Sequence, residues 1–277
     1  MAVIGFSYHL DRPQALELGR RTAEWLEAQG HEAVVVTADG GAQGTATESK
    51  FDLVVSLGGD GTMLRTVEAV LGLGAPVLGV NFGRFGYLTA VEPDGLRRAI
   101  QRFLAGDFSL DRRMTLEGVV VGRDGEPRRR ANALNDFVLA RPSGTHTISG
   151  EVSISGQRFL SYAADAMIVS TPTGSTGYNL SARGPVISPG LRCLVLTPVA
   201  PHMLFDRAVV LPESDEVVIA LKGRCPADLI VDGAACGQLH VGERLVCRAG
   251  QQDALLVNFG DRKFESVLKS KFHLTDR

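Results

Sequence analysis

Phe51-Asp52-Leu53-Val54-Val55-Ser56-Leu57, then Gly58-Gly59-Asp60-Gly61-Thr62, then Met63-Leu64-Arg65-Thr66-Val67-Glu68-Ala69-Val70-Leu71 is the stretch on which the reading of this chain turns. The first segment is apolar enough for a buried strand, and the third has the spacing of a helix. Between them lies a glycine-rich loop at a helix N-terminus. Glycines allow a ligand to approach the backbone closely, and free N–H groups with the positive end of the helix dipole favour an anion such as phosphate. Asp60 is the odd member, because a carboxylate repels a phosphate unless it binds a metal or takes a proton. That reading assigns chemistry to the loop. The other is a turn in which Asp60 caps the helix.

Working outward, residues 3–8 read as a strand, 13–29 as a helix opened by Pro13 and closed by Gly30, and 32–37 as a second strand. Ala15, Leu18, Thr22, Trp25 and Leu26 fall on one helix face, which is expected to pack on a sheet. After the glycine loop and its helix come a strand at 76–80 and a helix at 93–105. Repeated strand–helix units with apolar strands predict a mostly parallel sheet covered on both faces. Ligands in such sheets collect at the carboxyl ends of the strands, where Asp60 sits. Beyond Arg112 the pattern changes to short β-rich segments at 116–121, 136–140, 151–155, 167–170, 193–196, 217–221, 228–231 and 244–249, with a helix start near Ser175. The fold class expected is therefore an α/β N-terminal domain with a mostly parallel sheet, plus a mostly β, sandwich-like C-terminal domain. The segment Leu255-Leu256-Val257-Asn258-Phe259 is too apolar for a loose tail.

A length of 277 residues fits two domains at roughly 150 each. A net charge of −2 leaves no basic footprint for nucleic acid, and Arg128-Arg129-Arg130 reads as a solvated hairpin edge. No apolar run reaches the ~20 residues of a membrane helix, and Val3-Ile4-Gly5-Phe6 is strand-like rather than a signal peptide, so a cytoplasmic protein is expected. Cys193, Cys225, Cys236 and Cys247 form no Cys-x-x-Cys pair and are expected as reduced thiols. The histidines form no metal motif, so any metal is expected to arrive with a substrate.

Two further fragments carry polar groups. Thr171-Pro172-Thr173-Gly174-Ser175-Thr176-Gly177-Tyr178-Asn179-Leu180-Ser181 interleaves hydroxyls with glycines and offers a tyrosine ring to a base or sugar. Taken alone, it reads more readily as a polar turn capping a helix through Thr173 or Ser175. Asn135-Asp136, before Phe137-Val138-Leu139, is suited to gripping a vicinal diol, and is also common turn chemistry.

In this order the three fragments resemble the NAD kinase family over most of the chain, the segment from Asp165 through Ser181 to Gly184-Pro185-Val186-Ile187-Ser188-Pro189 being the specific part. The glycine loop alone is shared with diacylglycerol, sphingosine and 6-phosphofructokinases. Membership implies an α/β domain at 1–112 holding the phosphoryl donor, a β-rich NAD-binding domain at 113–255, and a segment at 256–277 returning to the first domain. It implies homodimers or homotetramers. It also implies transfer of phosphate from ATP, or polyphosphate, to the 2′-hydroxyl of the adenosine ribose of NAD, with Mg²⁺ or another divalent metal carried by the donor. Asp60 then becomes the base, and Gly58, Gly59, Gly61 and Thr62 the phosphate loop, with Arg65 one turn on as an aid or a solvated helix residue. Asn135 and Asp136 would hold a ribose or nearby polar groups. Asp165, Thr176, Tyr178 and Ser181 match NAD-site positions, together with the loop neighbours Thr173, Gly177, Asn179 and Leu180, while His146 and Ala163 fall where the family varies. The expectation includes Asn135, Asp136 and Asp165 at one common rim. Two departures stand out: Asp232-Gly233 is followed by Ala234 where relatives often carry Gln or Asn, and the pair is Asn-Asp rather than Asn-Glu. Rival readings are a lipid or sugar kinase sharing the loop, and a dinucleotide sensor without turnover, against which the carboxylate of Asp60 argues.

Overall fold

The structure, a computed structural model, describes residues 1–9, 11–36, 50–83, 86–260 and 264–272. Strand and helix alternate from β1 (Val3–Tyr8) through α1 (Pro13–Glu27), β2 (Glu32–Val35), β3 (Leu53–Gly58), α2 (Asp60–Val70), β4 (Val77–Asn81) and α3 (Leu96–Leu104) to β5 (Ser109–Arg113). All-β structure follows: β6 (Leu116–Val121), β7 (Pro127–Ala133), β8 (Asp136–Ala140), β9 (Ile148–Ile154), β10 (Gln157–Ala164) and β11 (Ala166–Ser170). After the short α4 (Tyr178–Ser181) come β12 (Cys193–Val199), β13 (Val209–Pro212), β14 (Val217–Lys222), β15 (Ala227–Val231), β16 (Ala234–Leu239) and β17 (Arg244–Ala249). The chain ends in β18 (Ala254–Asn258) and α5 (Phe264–Phe272). Two compact units result, one of residues 1–112 with the segment from Ala254 onward, the other Arg113–Asp253.

In the first unit the sheet order is β2-β1-β3-β4-β18-β5, with β1/β2, β1/β3, β3/β4 and β4/β18 parallel. The chain moves one way from β1 to β2 and the other way from β3 to β4. The carboxyl edge between β1 and β3 is therefore the switch point at which open α/β sheets bind ligands. Consecutive strand residues face opposite sides of a sheet. The Thr66 hydroxyl of α2 lies 2.9 Å from Ser7 Oγ and 3.0 Å from Ser56 Oγ, whereas Gly19 of α1 abuts the next residues, Tyr8 and Leu57. The two helices thus cover opposite faces. α1 buries Ala15, Gly19, Thr22 and Leu26, with Leu18 and Trp25 packed against the same core. It ends at Glu27, before the expected 29, and the chain turns at Gly30 with φ +80°. Thr37, the expected end of the second strand, lies outside the described residues.

The second unit stacks two antiparallel six-stranded sheets, β10-β9-β14-β17-β6-β7 and β13-β12-β11-β8-β15-β16. Leu116, Val152, Ile219 and Leu245 from one and Phe137, Leu139, Met167 and Val169 from the other share one buried core. Besides β18, read from the sequence only as a segment too apolar for a loose tail, five strands escape the sequence reading: β5, β7 (apart from its arginines), β10, β13 and β16. Each is a sheet edge. Pro127–Ala133, for example, is mostly exposed, which removes the apolar alternation by which a strand is recognised.

Candidate active site

In the first unit, β3 runs into α2. Gly59 is the N-cap, in extended conformation, and Asp60 is the first helical residue, which corrects the reading of Asp60 as cap. Its carboxylate is held from elsewhere: Oδ2 accepts the Tyr87 N–H at 2.9 Å and Oδ1 the Leu88 N–H at 3.0 Å. A Cβ at Gly86 would stand 2.1 Å from Asp60 Oδ1, so only glycine lets this segment close on the carboxylate. The sequence reading missed Gly86, Tyr87 and Leu88; the glycine spacing Gly83-x-x-Gly86 was the available signal. Burial and the negative charge of Asp60 push the Tyr87 phenol up, and Lys271 of α5 lies 4.6 Å from the centre of its ring. Gly61 is exposed. Thr62 is 1% exposed and its hydroxyl has no partner among the described residues, so it is not a helix cap. Arg65 lies four residues after Gly61, on the same face of α2, and is partly buried.

The second unit brings two of the predicted fragments together and adds a residue. Asp232, with φ +48°, accepts the N–H groups of Leu134 at 2.8 Å, Asn135 at 2.7 Å and Asp136 at 3.0 Å, while its own N–H donates to the Asp136 carbonyl. One carboxylate therefore fixes the turn that presents the Asn-Asp pair. The Asp232-Gly233 turn was visible in the sequence; its partners, a hundred residues away, were not. Asp136 is 4% exposed, and burial together with the Asp232 charge pushes its carboxyl up to about 7. Gly177 faces the pair: its Cβ position lies 3.7 Å from Asn135 Nδ2 and 3.8 Å from Asp136 Oδ2. Gly174 abuts the Asn135 carbonyl, where a Cβ would come within 2.2 Å.

Many hydroxyls of the second loop turn inward. Thr171 Oγ1 donates to the Leu134 carbonyl at 2.5 Å and accepts Gly174 N–H, and Ser175 Oγ donates to the Pro172 carbonyl at 2.6 Å. The helix expected near Ser175 is a 3-10 turn, Gly174–Thr176, followed by α4. Asn179 is corrected from a ligand contact to a structural residue. It is fully buried, its amide donating to the Ser175 and Pro185 carbonyls and accepting from Thr197 Oγ1 at 2.7 Å. Thr173 is 7% exposed. Thr176, Gly177 and Leu180 are partly exposed and Tyr178 and Ser181 exposed, so these supply the reachable surface of the loop.

Asp165 does not join this rim. Ser170 of β11 pairs with Asp136 and Ala166 with Ala140, so Asp165 lies at the opposite end of the strand pair, five residues or about 17 Å from Asp136. Antiparallel pairing puts the starts of the two strands apart, so within one chain the three residues do not meet at a common rim. There Asp165 Oδ1 bonds Arg141 Nε at 2.8 Å, and Arg141 also donates to the Thr145 carbonyl, next to the exposed His146. Ala163 lies on β10, its carbonyl accepting His202 N–H. Gln238, further along the chain from Ala234, donates to Asp228 Oδ1 at 2.9 Å.

Comparison with known proteins agrees with this architecture. Residues 41–108 match the family described as ATP-NAD kinase N-terminal domain, and 134–259 that described as ATP-NAD kinase C-terminal domain. The NAD kinase of Heliobacterium modesticaldum is 37% identical over 280 residues, covering 98% of each chain. Among solved structures, yeast NADH kinase complexed with NADH superposes with a TM-score of 0.90 at 20% identity, over 100% of this chain and 89% of that one. An NAD kinase from Archaeoglobus fulgidus in complex with ATP gives 0.75 at 24% identity, over 98% and 97%. These last two show a shared fold. With both domain matches and a relative alike from end to end, the chain belongs to the NAD kinase family.

Proposed function

We propose that this member of the family transfers the terminal phosphoryl group of ATP, or of polyphosphate, to the 2′-hydroxyl of the adenosine ribose of NAD. The observation that carries the reading is the Asp60 carboxylate, held by two backbone N–H groups at the start of α2, beside the glycine loop on the carboxyl edge of a parallel sheet. Each oxygen keeps a second lone pair. As the 2′-oxygen bonds to the terminal phosphorus, its proton passes to Asp60, the bond from that phosphorus to the bridging oxygen breaks, and ADP, or the polyphosphate shortened by one unit, leaves. Loop N–H groups at Gly59 and Gly61 and the helix dipole face the phosphate charge. A divalent metal would be carried by the donor, whose phosphate oxygens would supply its ligands and whose charge it would offset.

Residues 1–112 hold the donor on this reading, 113–255 hold NAD, and 256–277 return to the first domain. Asn135 and Asp136 grip polar groups of the acceptor, and the exposed ring of Tyr178 offers a face to its base or sugar. Assembly as a homodimer or homotetramer and a cytoplasmic location complete the proposal. Among the described residues no helix is long and apolar enough to cross a membrane. The test is a coupled assay of purified protein with NAD, Mg²⁺ and either ATP or polyphosphate. Formation of NADP is expected, and its absence with both donors would overturn the assignment.

A further inference from the structure

In the turn between β1 and α1, beside the exposed Asp11, stand Arg12 and His9, which the proposed reaction leaves unused. Arg12 follows β1, yet its Nη1 donates to the carbonyl of Phe82, the residue after β4. In the sheet, β3 lies between β1 and β4. Neighbouring strands are about 4.8 Å apart, so a side chain reaching from the end of β1 to the end of β4 must pass over the carboxyl end of β3, which is Gly58. The backbone bonds agree: Phe82 N–H donates to the Gly58 carbonyl at 2.7 Å and His9 N–H to the Leu57 carbonyl at 3.1 Å. Arg12 is partly buried, and among the described residues no carboxylate pairs with it, nor do its Nε and Nη2 groups have a partner. His9 Nδ1 is likewise buried without a partner among the described residues. A buried polar atom without a partner costs free energy unless something else satisfies it. The turn also borders the β1/β3 switch point, where open α/β sheets place ligands.

We infer that Arg12, assisted by His9, is a phosphate-binding residue of the donor site, with the free edge of its guanidinium gripping oxygens of the donor's polyphosphate chain beside the glycine loop. The inference rests on the proposed donor reading of the first unit. It supplies the cation that the loop itself lacks, since neither glycine loop contains a lysine. A guanidinium anchored at Nη1 keeps two adjacent N–H groups in a fixed fork, the geometry that matches two phosphate oxygens. The inference extends to any donor with a chain of phosphates, since nothing in the contact reads a nucleoside.

The test uses the full chain with Arg12→Gln, Arg12→Lys and His9→Leu, read by steady-state kinetics, calorimetric binding of inorganic tripolyphosphate, and Tm. Arg12→Gln is expected to raise KM for ATP and weaken tripolyphosphate binding by about 10- to 100-fold, as loss of charge-assisted hydrogen bonds does, with KM for NAD within about 3-fold. Arg12→Lys is expected to fall between wild type and Arg12→Gln, and His9→Leu to shift KM for ATP by a few fold. Unchanged tripolyphosphate affinity in Arg12→Gln would overturn the inference. So would equal rises in both KM values with a lowered Tm, which would mark Arg12 as a prop for the Phe82 carbonyl. If the wild type makes no NADP but Arg12→Gln still loses tripolyphosphate affinity, the reaction assignment fails and the phosphate site stands.

Discussion

Asp60 and Asp136 are both carboxylates beside glycine-rich loops, but their surroundings differ. Asp60 is partly exposed and accepts two backbone N–H bonds, which hold it in place at the end of β3. Asp60→Asn preserves the shape but cannot take a proton. Steady-state kinetics are expected to show kcat lower by about 10²–10⁴ with NAD affinity within a few fold. Thr62→Val is expected to cost less, because its hydroxyl is buried without a partner among the described residues while the loop N–H groups remain. Equal losses would mean that the two roles are misassigned. Asp136 is nearly sealed and faces the Asp232 charge, which places its titration at about 7. An unfolded Asp titrates near 4, so between these values the folded chain binds the extra proton. Its contribution to stability is therefore full below about pH 4 and is lost as pH rises through about 7, by at most about 4 kcal/mol. Asp136→Asn is expected to raise the Tm of the ligand-free protein at pH 8 and to flatten the pH slope in melts from pH 5 to 8, while raising KM for NAD. An unchanged slope would show that another group titrates there.

The elements decide which side chains can act together. The turn before β8 depends on the turn after β15, through the three N–H groups that converge on Asp232. Asp232→Ala leaves those donors without their acceptor and is expected to lower stability by about 1–3 kcal/mol, measured by denaturant melts, and to weaken NAD binding with it. Intact NAD affinity in a folded Asp232→Ala would show that the pair does not need this anchor. The register of β8 on β11 puts Asp136 and Asp165 about 17 Å apart. In a double-mutant cycle of Asp136→Asn with Asp165→Asn, effects on NAD affinity are expected to add within about 0.5 kcal/mol. A larger coupling by calorimetric NAD titration would mean that the two carboxylates share one contact after all.

At the scale of the molecule, the chain leaves the first unit after β5, completes the β-sandwich, and returns with β18 between β4 and β5. Ending the chain at Asp253 would remove an interior strand carrying the buried Leu256 and Val257. Such a protein is expected to lose turnover and to show lowered solubility and helix content by circular dichroism; a folded, active truncation would show that β18 is dispensable. The α/β then all-β order, the buried interior strands other than β18 and the glycine loop with Asp60 are legible in the residues alone. Each of these is written in local terms, as apolar runs, helical spacing, or glycines beside one carboxylate. The folded structure alone gives most of the edge strands, whose exposure erases their pattern, and the partners that hold each carboxylate. It alone showed that Tyr87 and Leu88 fix Asp60, that Asp232 fixes the Asn135-Asp136 turn, that Asn179 is structural, and that Asp165 stands apart. These facts follow from sheet order and strand register, because a hydrogen-bond partner reached across a sheet leaves no signature in the residues next to it in sequence.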